Sequence, residues 1–130
     1  MKIILQLPGI LGIISFILIS CASPTIPKDC GSELNPGAVN SEGRNCFYSS
    51  YQNCDPATFK IGYQTHEGID KHELMIVGKS EGICKVKHIA EIKYISKTYE
   101  SKCSLTIGEK YGKARFQLFD CEGEETVGIV

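Results

Sequence analysis

The sequence predicts an α+β domain in which one N-terminal helix packs on an antiparallel sheet of four to five strands, with disulfides cross-linking the layers. Three observations predict it. Apolar periodicity changes from helical to alternating after Pro56, and from there strand-like runs follow one another at short turn signals. No second helical stretch interrupts them, so consecutive strands pair antiparallel and the single helix lies across their apolar face. Six cysteines, Cys30, Cys46, Cys54, Cys84, Cys103 and Cys121, are spread from the N-terminal tether through the helix and the strands.

The helix is expected over residues 42–53, capped by Asn40 or Ser41, with Phe47 and Tyr51 one turn apart and Ser50 and Cys54 completing that face. Cys54-Asp55-Pro56 stops it, because a residue before proline is pushed out of the helical region. Phe59, Ile61 and Tyr63 alternate with Lys60, Gly62 and Gln64, a half-buried strand ending near His66. Residues 67–71 turn, and 72–79 return as a second strand carrying Leu74, Met75, Ile76 and Val77; Ser80-Glu81-Gly82 turns again. Residues 83–95 are the longest strand-like run. Cys84, Val86, His88, Ala90, Ile92 and Tyr94 share one face, and Lys85, Lys87, Glu91 and Lys93 the other. Residues 98–101 turn into a fourth strand with Cys103, Leu105 and Ile107. After a loop over 108–113, Phe116, Leu118 and Phe119 favour a fifth strand over a short helix.

The N-terminus is of another kind. Met1-Lys2 precedes an apolar run over residues 3–19, which has the form of a signal-peptide core. About 17 residues fall short of the roughly 20 that span a bilayer, and Pro8, Gly9 and Gly12 weaken it as a lasting transmembrane helix. No basic cluster follows it; the next basic residue is Lys28. Leu18-Ile19-Ser20-Cys21, at its end, resembles a bacterial lipobox, although a single lysine stands where such signals usually carry two or three. The resemblance covers the first 21 residues only. It implies cleavage before Cys21, acylation of that cysteine with palmitate-like chains, and a protein held by lipid on the exported side of the cell membrane or outer membrane. Ala22, rather than Asp, after the cysteine resembles the outer-membrane class. Ser20-Cys21-Ala22 also satisfies the small-x-small rule of ordinary signal peptidase, which would release a secreted form. The organisation expected is a signal over 1–20, a tether over 21–39 rich in proline and glycine, one domain over 40–121 and a tail over 122–130.

Export fits the cysteine count. With Cys21 acylated or removed, six remain, an even number in about 110 residues, which reads as three disulfides in one of 15 connectivities. A Cys46 to Cys54 bond is excluded on a helix, since eight residues separate them by roughly 12 Å. Structural zinc is disfavoured because no C-x-x-C pair exists. Without Lys2 the chain has 13 basic against 15 acidic residues, so it lacks the positive footprint of a nucleic-acid binder.

Candidate chemistry is sparse. His66 and His72 flank the first hairpin loop and, in a simple register, would stand about 5 Å apart, with Glu67, Asp70 and Glu73 as neighbouring carboxylates for a divalent metal. A polar, solvated hairpin tip explains the same residues. His88 on an apolar face is the pattern of a buried imidazole with one hydrogen-bond partner. Lys85, Lys87 and Lys93 form a stripe that reads as a solvated sheet face or a seat for acidic partners and headgroups. No G-x-S-x-G, phosphate-cradling glycine loop or tuned carboxylate pair appears, and oxidised cysteines are not nucleophiles. These readings favour a small lipid-anchored envelope or surface protein acting as a binding or structural module, without cofactor, whose partners are the membrane and an envelope protein. The alternatives are a metal-binding protein centred on His66 and His72, or a secreted, inhibitor-like interaction module.

Overall fold

A computed structural model describes residues 24–110 and 113–123. The chain is mostly strand. Its order is β1 (Lys28–Asn35), α1 (Ser41–Asn53), β2 (Ala57–Thr65), β3 (Gly68–Ser80), β4 (Ile83–Ile92), β5 (Lys97–Lys110) and β6 (Lys113–Gly123). The six strands form one mixed sheet in sequence order: β1 is parallel to β2, with α1 as the crossover between them, and every other pair is antiparallel. This corrects the expectation of one helix on four to five antiparallel strands.

The strand that changes the topology lies within the expected tether. β1 carries no alternating signal because its register shifts between Asp29 and Ser32, around Gly31 at φ 92°. The bulge spaces the two buried positions three apart, at Cys30 and Glu33, and one of them is charged. Alternation of apolar side chains is the usual sign of a half-buried strand, and here it is absent.

α1 begins and ends as its sequence predicts. Asn40 caps it, its side-chain oxygen accepting from the Gly43 N–H at 2.9 Å, while its amide donates to the Ser32 carbonyl at 3.1 Å and so also fastens the helix start to β1. Cys54 adopts a left-handed conformation and Asp55 N–H closes on the Ser50 carbonyl at 2.8 Å. The helix lies close: a Cβ on Gly43 would come within 2.5 Å of the Cys30 carbonyl and 2.6 Å of the Phe59 ring.

The hairpins are tighter than expected. Thr65 pairs with Gly68, so the first loop is only His66-Glu67 instead of residues 67–71. Glu81 and Gly82, both at positive φ, form a two-residue loop of the type whose twist suits antiparallel strands. The turn expected at 98–101 is instead at 93–96, where Tyr94 and Ile95, read as strand from their apolarity, are 75% and 46% exposed. Residues 97–101 belong to β5. Phe116 and Leu118 are buried on β6, the strand expected there.

The sheet curls until its ends approach. Phe116 of β6 meets Phe59 of β2 edge-to-face with centroids 5.9 Å apart, and Phe47 of α1 lies 5.6 Å from Phe116 and 6.3 Å from Phe59. All three rings are fully buried, with Ile61, Leu74, Val86, Leu105 and Leu118 around them. Each aromatic pair adds roughly 0.5–1.5 kcal/mol beyond area burial. Three disulfides join Cys30 to Cys46, Cys54 to Cys84 and Cys103 to Cys121. Cys46 and the C-cap Cys54 both reach other segments, as the 12 Å argument requires, so α1 is bolted to β1 near its middle and to β4 at its C-terminal end. Closing loops with separations of 16, 30 and 18 residues stabilises by roughly 3–4 kcal/mol each in the chain-entropy account.

One further contact locks the helix to the sheet. Val86 stands opposite Cys103 in the β4–β5 register, which if continued would pair Cys84 with Leu105. The Tyr51 hydroxyl occupies that place. It accepts from the Leu105 N–H at 3.0 Å and donates to the Cys84 carbonyl at 3.1 Å.

Candidate functional site

Where β1, α1 and β6 converge, a buried polar cluster underlies an open cleft. The bulge at Gly31 turns Glu33 inward, and its carboxylate side chain is 1% exposed. Arg44, in the first turns of α1, faces it and donates from Nε to Glu33 Oε2 at 2.9 Å and from Nη2 to Oε1. The Asn40 N–H and the Asn35 side chain add donors at 3.1 and 3.3 Å. Burial pushes the Glu33 carboxyl up, but the Arg44 guanidinium and these N–H groups outweigh it and hold the group below the usual carboxylate range. Arg44 also lies over the Phe116 ring, 4.9 Å from its centroid, and 5.9 Å from that of Phe59.

A second guanidinium enters from β6. Arg115 Nη1 is buried 3.6 Å from Glu33 Oε1, an ion-pair distance beyond hydrogen-bond reach, and it has no hydrogen-bond partner among the described residues. Two cations therefore share one carboxylate. Tyr63 is half-buried within their field; burial raises its phenol above the ordinary value, against the pull of both arginines.

The cleft above has a volume of about 450 Å³. Ala38 and Val39 of the β1–α1 loop, Ile107 and Phe116 give it apolar walls, Ser41 and Asn45 of α1 edge it, and Arg44 and Arg115 supply its charge. Among the described residues that line it there is no carboxylate, imidazole or thiol. Such a wall has the size and character of a small-molecule site, and its one described hydroxyl, on Ser41, has no carboxylate or imidazole among the described lining residues to act as its base.

The histidines lie elsewhere. His66 is exposed in the β2–β3 loop, whereas His72 stands opposite Ile61, inside the sheet and four residues beyond the end of the loop, roughly 13 Å along the strand. The expected His66/His72 pair is not brought together. Asp70, one of its neighbouring carboxylates, accepts from the Lys93 N–H at 2.7 Å and fastens the next turn. No group of three or more His, Cys, Asp or Glu that would hold a metal occurs among the described residues. His72 instead meets His88, Nδ1 to Nε2 at 2.9 Å with the rings nearly parallel, and the Tyr63 ring edges onto it. Burial lowers the pKa of both; His88, wholly enclosed and beside His72, is brought to about 4. At neutral pH one ring donates and the other accepts, a satisfied core pair.

The lysine stripe is not uniformly solvated. Lys85 is buried and donates to the Ser104 hydroxyl at 3.1 Å, Lys87 pairs with Glu100 at 3.1 Å, and Lys93 pairs with Glu91. Cys21 lies outside the described residues. The cluster of Glu33, Arg44 and Arg115 forms no sequence motif because its members come from three separate elements, β1, α1 and β6. One signal was present: among 14 basic residues only these two are arginines, and arginine suits buried, bidentate pairing where lysine does not.

No family model, curated protein or solved structure matches this chain.

Proposed function

We propose that this is a small envelope protein, lipid-anchored through Cys21, that binds a small ligand in the cleft between the β1–α1 loop, α1 and β6. The cleft wall carries the reading: apolar side chains around two guanidiniums, with no carboxylate, imidazole or thiol among the described lining residues, suit the binding of a small ligand. Other features are consistent with it. Three disulfides suit an oxidising compartment outside the cytoplasm, and Leu18-Ile19-Ser20-Cys21 ends an apolar run. Acyl chains each bury many CH₂ groups at about 0.8 kcal/mol apiece, so attachment is stable once two or more are present.

Two measurements test the proposal. Intact mass of the membrane fraction is expected to show a species beginning at Cys21 with its acyl chains, and Cys21→Ser to abolish it; an unlipidated soluble species beginning at Ser23 overturns the anchor. A fragment screen followed by NMR methyl shifts is expected to move Ala38, Val39 and Ile107 together, and hits that map only elsewhere overturn the binding role. Tyr94 and Ile95, exposed on the β4–β5 turn, support a second reading as an interaction module whose hairpin tip meets a protein partner. Retained partner capture by a Tyr94→Ser, Ile95→Ser variant counts against it.

A further inference from the structure

The charge of the cleft floor specifies what it takes. Glu33 is spent on Arg44, which grips both of its oxygens. Arg115 is left with a carboxylate oxygen at 3.6 Å and a buried Nη1 that no described residue accepts from. A guanidinium this nearly buried and without a full partner is costly, and an anion against the 15% of its side chain that stays exposed, where it lines the cleft, offsets that cost through charge. Among the described residues the nearest other carboxylate on α1, Glu42 in its first turn, is exposed and does not line the cleft. Among the described side chains of the floor, two cations face one anion, a surplus of one positive charge. The adjoining wall of Val39, Ile107 and Phe116 is hydrocarbon, so the rest of the ligand is apolar.

We infer that the cleft binds an organic monoanion, a carboxylate on a short apolar body, with the carboxylate seated on Arg115 and the apolar body against Val39, Ile107 and Phe116. The inference rests on the proposed binding role and narrows it to a ligand class. A single surplus charge matches a monocarboxylate and not a phosphate dianion, and a carboxylate takes the planar fork of a guanidinium edge-on. The same chemistry occurs in a free short-chain acid and at the end of a larger molecule.

The test uses the full chain, exported and held in lipid nanodiscs, with three probes small enough to partition little into lipid: hexanoate, hexanamide and inorganic phosphate. Hexanoate is expected to shift the Val39 and Ile107 methyls saturably, hexanamide at least tenfold more weakly, and phosphate not at all. Arg115→Gln is expected to reduce hexanoate to the hexanamide level. Ile107→Glu, which sets a like charge at the half-exposed rim and leaves the buried cluster intact, is expected to do the same at an unchanged melting temperature. Equal binding of hexanoate and hexanamide overturns the anion inference and leaves the binding role standing. Phosphate binding more tightly than hexanoate overturns the monocarboxylate assignment. No shift of the cleft methyls with any probe overturns it as well, and the fragment screen then decides whether the binding role falls with it.

Discussion

Replacing Tyr51 by Phe tests how the helix holds the sheet, because it removes one oxygen and no packing volume. That oxygen makes two bonds, from the Leu105 N–H and to the Cys84 carbonyl, at the point where the β4–β5 ladder stops. The two partners differ in their surroundings. Leu105 is 4% exposed, so its N–H is left without water, at about 1–3 kcal/mol; Cys84 is only half-buried, its carbonyl can be hydrated, and the net loss there is about 1 kcal/mol. The sum is about 2–4 kcal/mol, a large part of the 5–15 kcal/mol typical of a domain. Urea unfolding of the oxidised protein is expected to show a lower midpoint at unchanged slope, since the surface exposed on unfolding is the same. Amide exchange at Leu105 should quicken in parallel. A loss below about 0.5 kcal/mol with Leu105 still protected would refute the reasoning. It would mean that the strands close over the gap and pair Cys84 with Leu105 directly.

Two other perturbations have expected outcomes. Glu33→Gln removes the carboxylate that two largely buried guanidiniums share and is expected to cost about 3–5 kcal/mol in urea unfolding, whereas Arg115→Gln, which keeps the Arg44 pair, stays within about 1 kcal/mol of wild type; equal losses would show that the cluster is not organised around Glu33. His88 has a pKa of about 4 in the folded protein and the ordinary 6.5 when unfolded, so between those values the unfolded chain binds a proton that the native state does not. Stability is therefore full above about pH 6.5 and falls as the pH drops towards 4, by on the order of 3 kcal/mol, and His88→Gln is expected to flatten that slope. A wild-type stability that is level from pH 7 to 4.5 would contradict it.

What could be read in advance followed local physics. α1 was legible because its cap, its Phe47 and Tyr51 face and its Cys54-Asp55-Pro56 stop are all contained within about four turns of chain. β2 and most of β3 and β4 were legible because one face is buried and the other wet, so apolarity alternates. His88 was correctly read as a buried imidazole, although its partner proved to be His72. β1 was illegible because a bulge breaks its period and its inward side chain is a glutamate, stable there only because Arg44 arrives eleven residues later. The start of β5 was hidden for a related reason: its inward Ser101 is polar, while the exposed Tyr94 and Ile95 imitate a strand.

By itself, the sequence determined the disulfide count, the impossibility of a Cys46 to Cys54 bond, one helix, the run of strands after that helix and an N-terminus resembling a lipobox. These depend on composition, on spacing or on neighbours a few residues apart. Only the tertiary structure decided which cysteines pair, that β1 joins β2 in parallel, that His66 and His72 stand apart, and that the chain's two arginines meet over one carboxylate. The first three depend on strand register and on where α1 crosses the sheet, and the last on how far the sheet curls before β6 reaches β1. That curl is set by the packing of Phe47, Phe59 and Phe116, three rings that come together only once α1, β2 and β6 are in place.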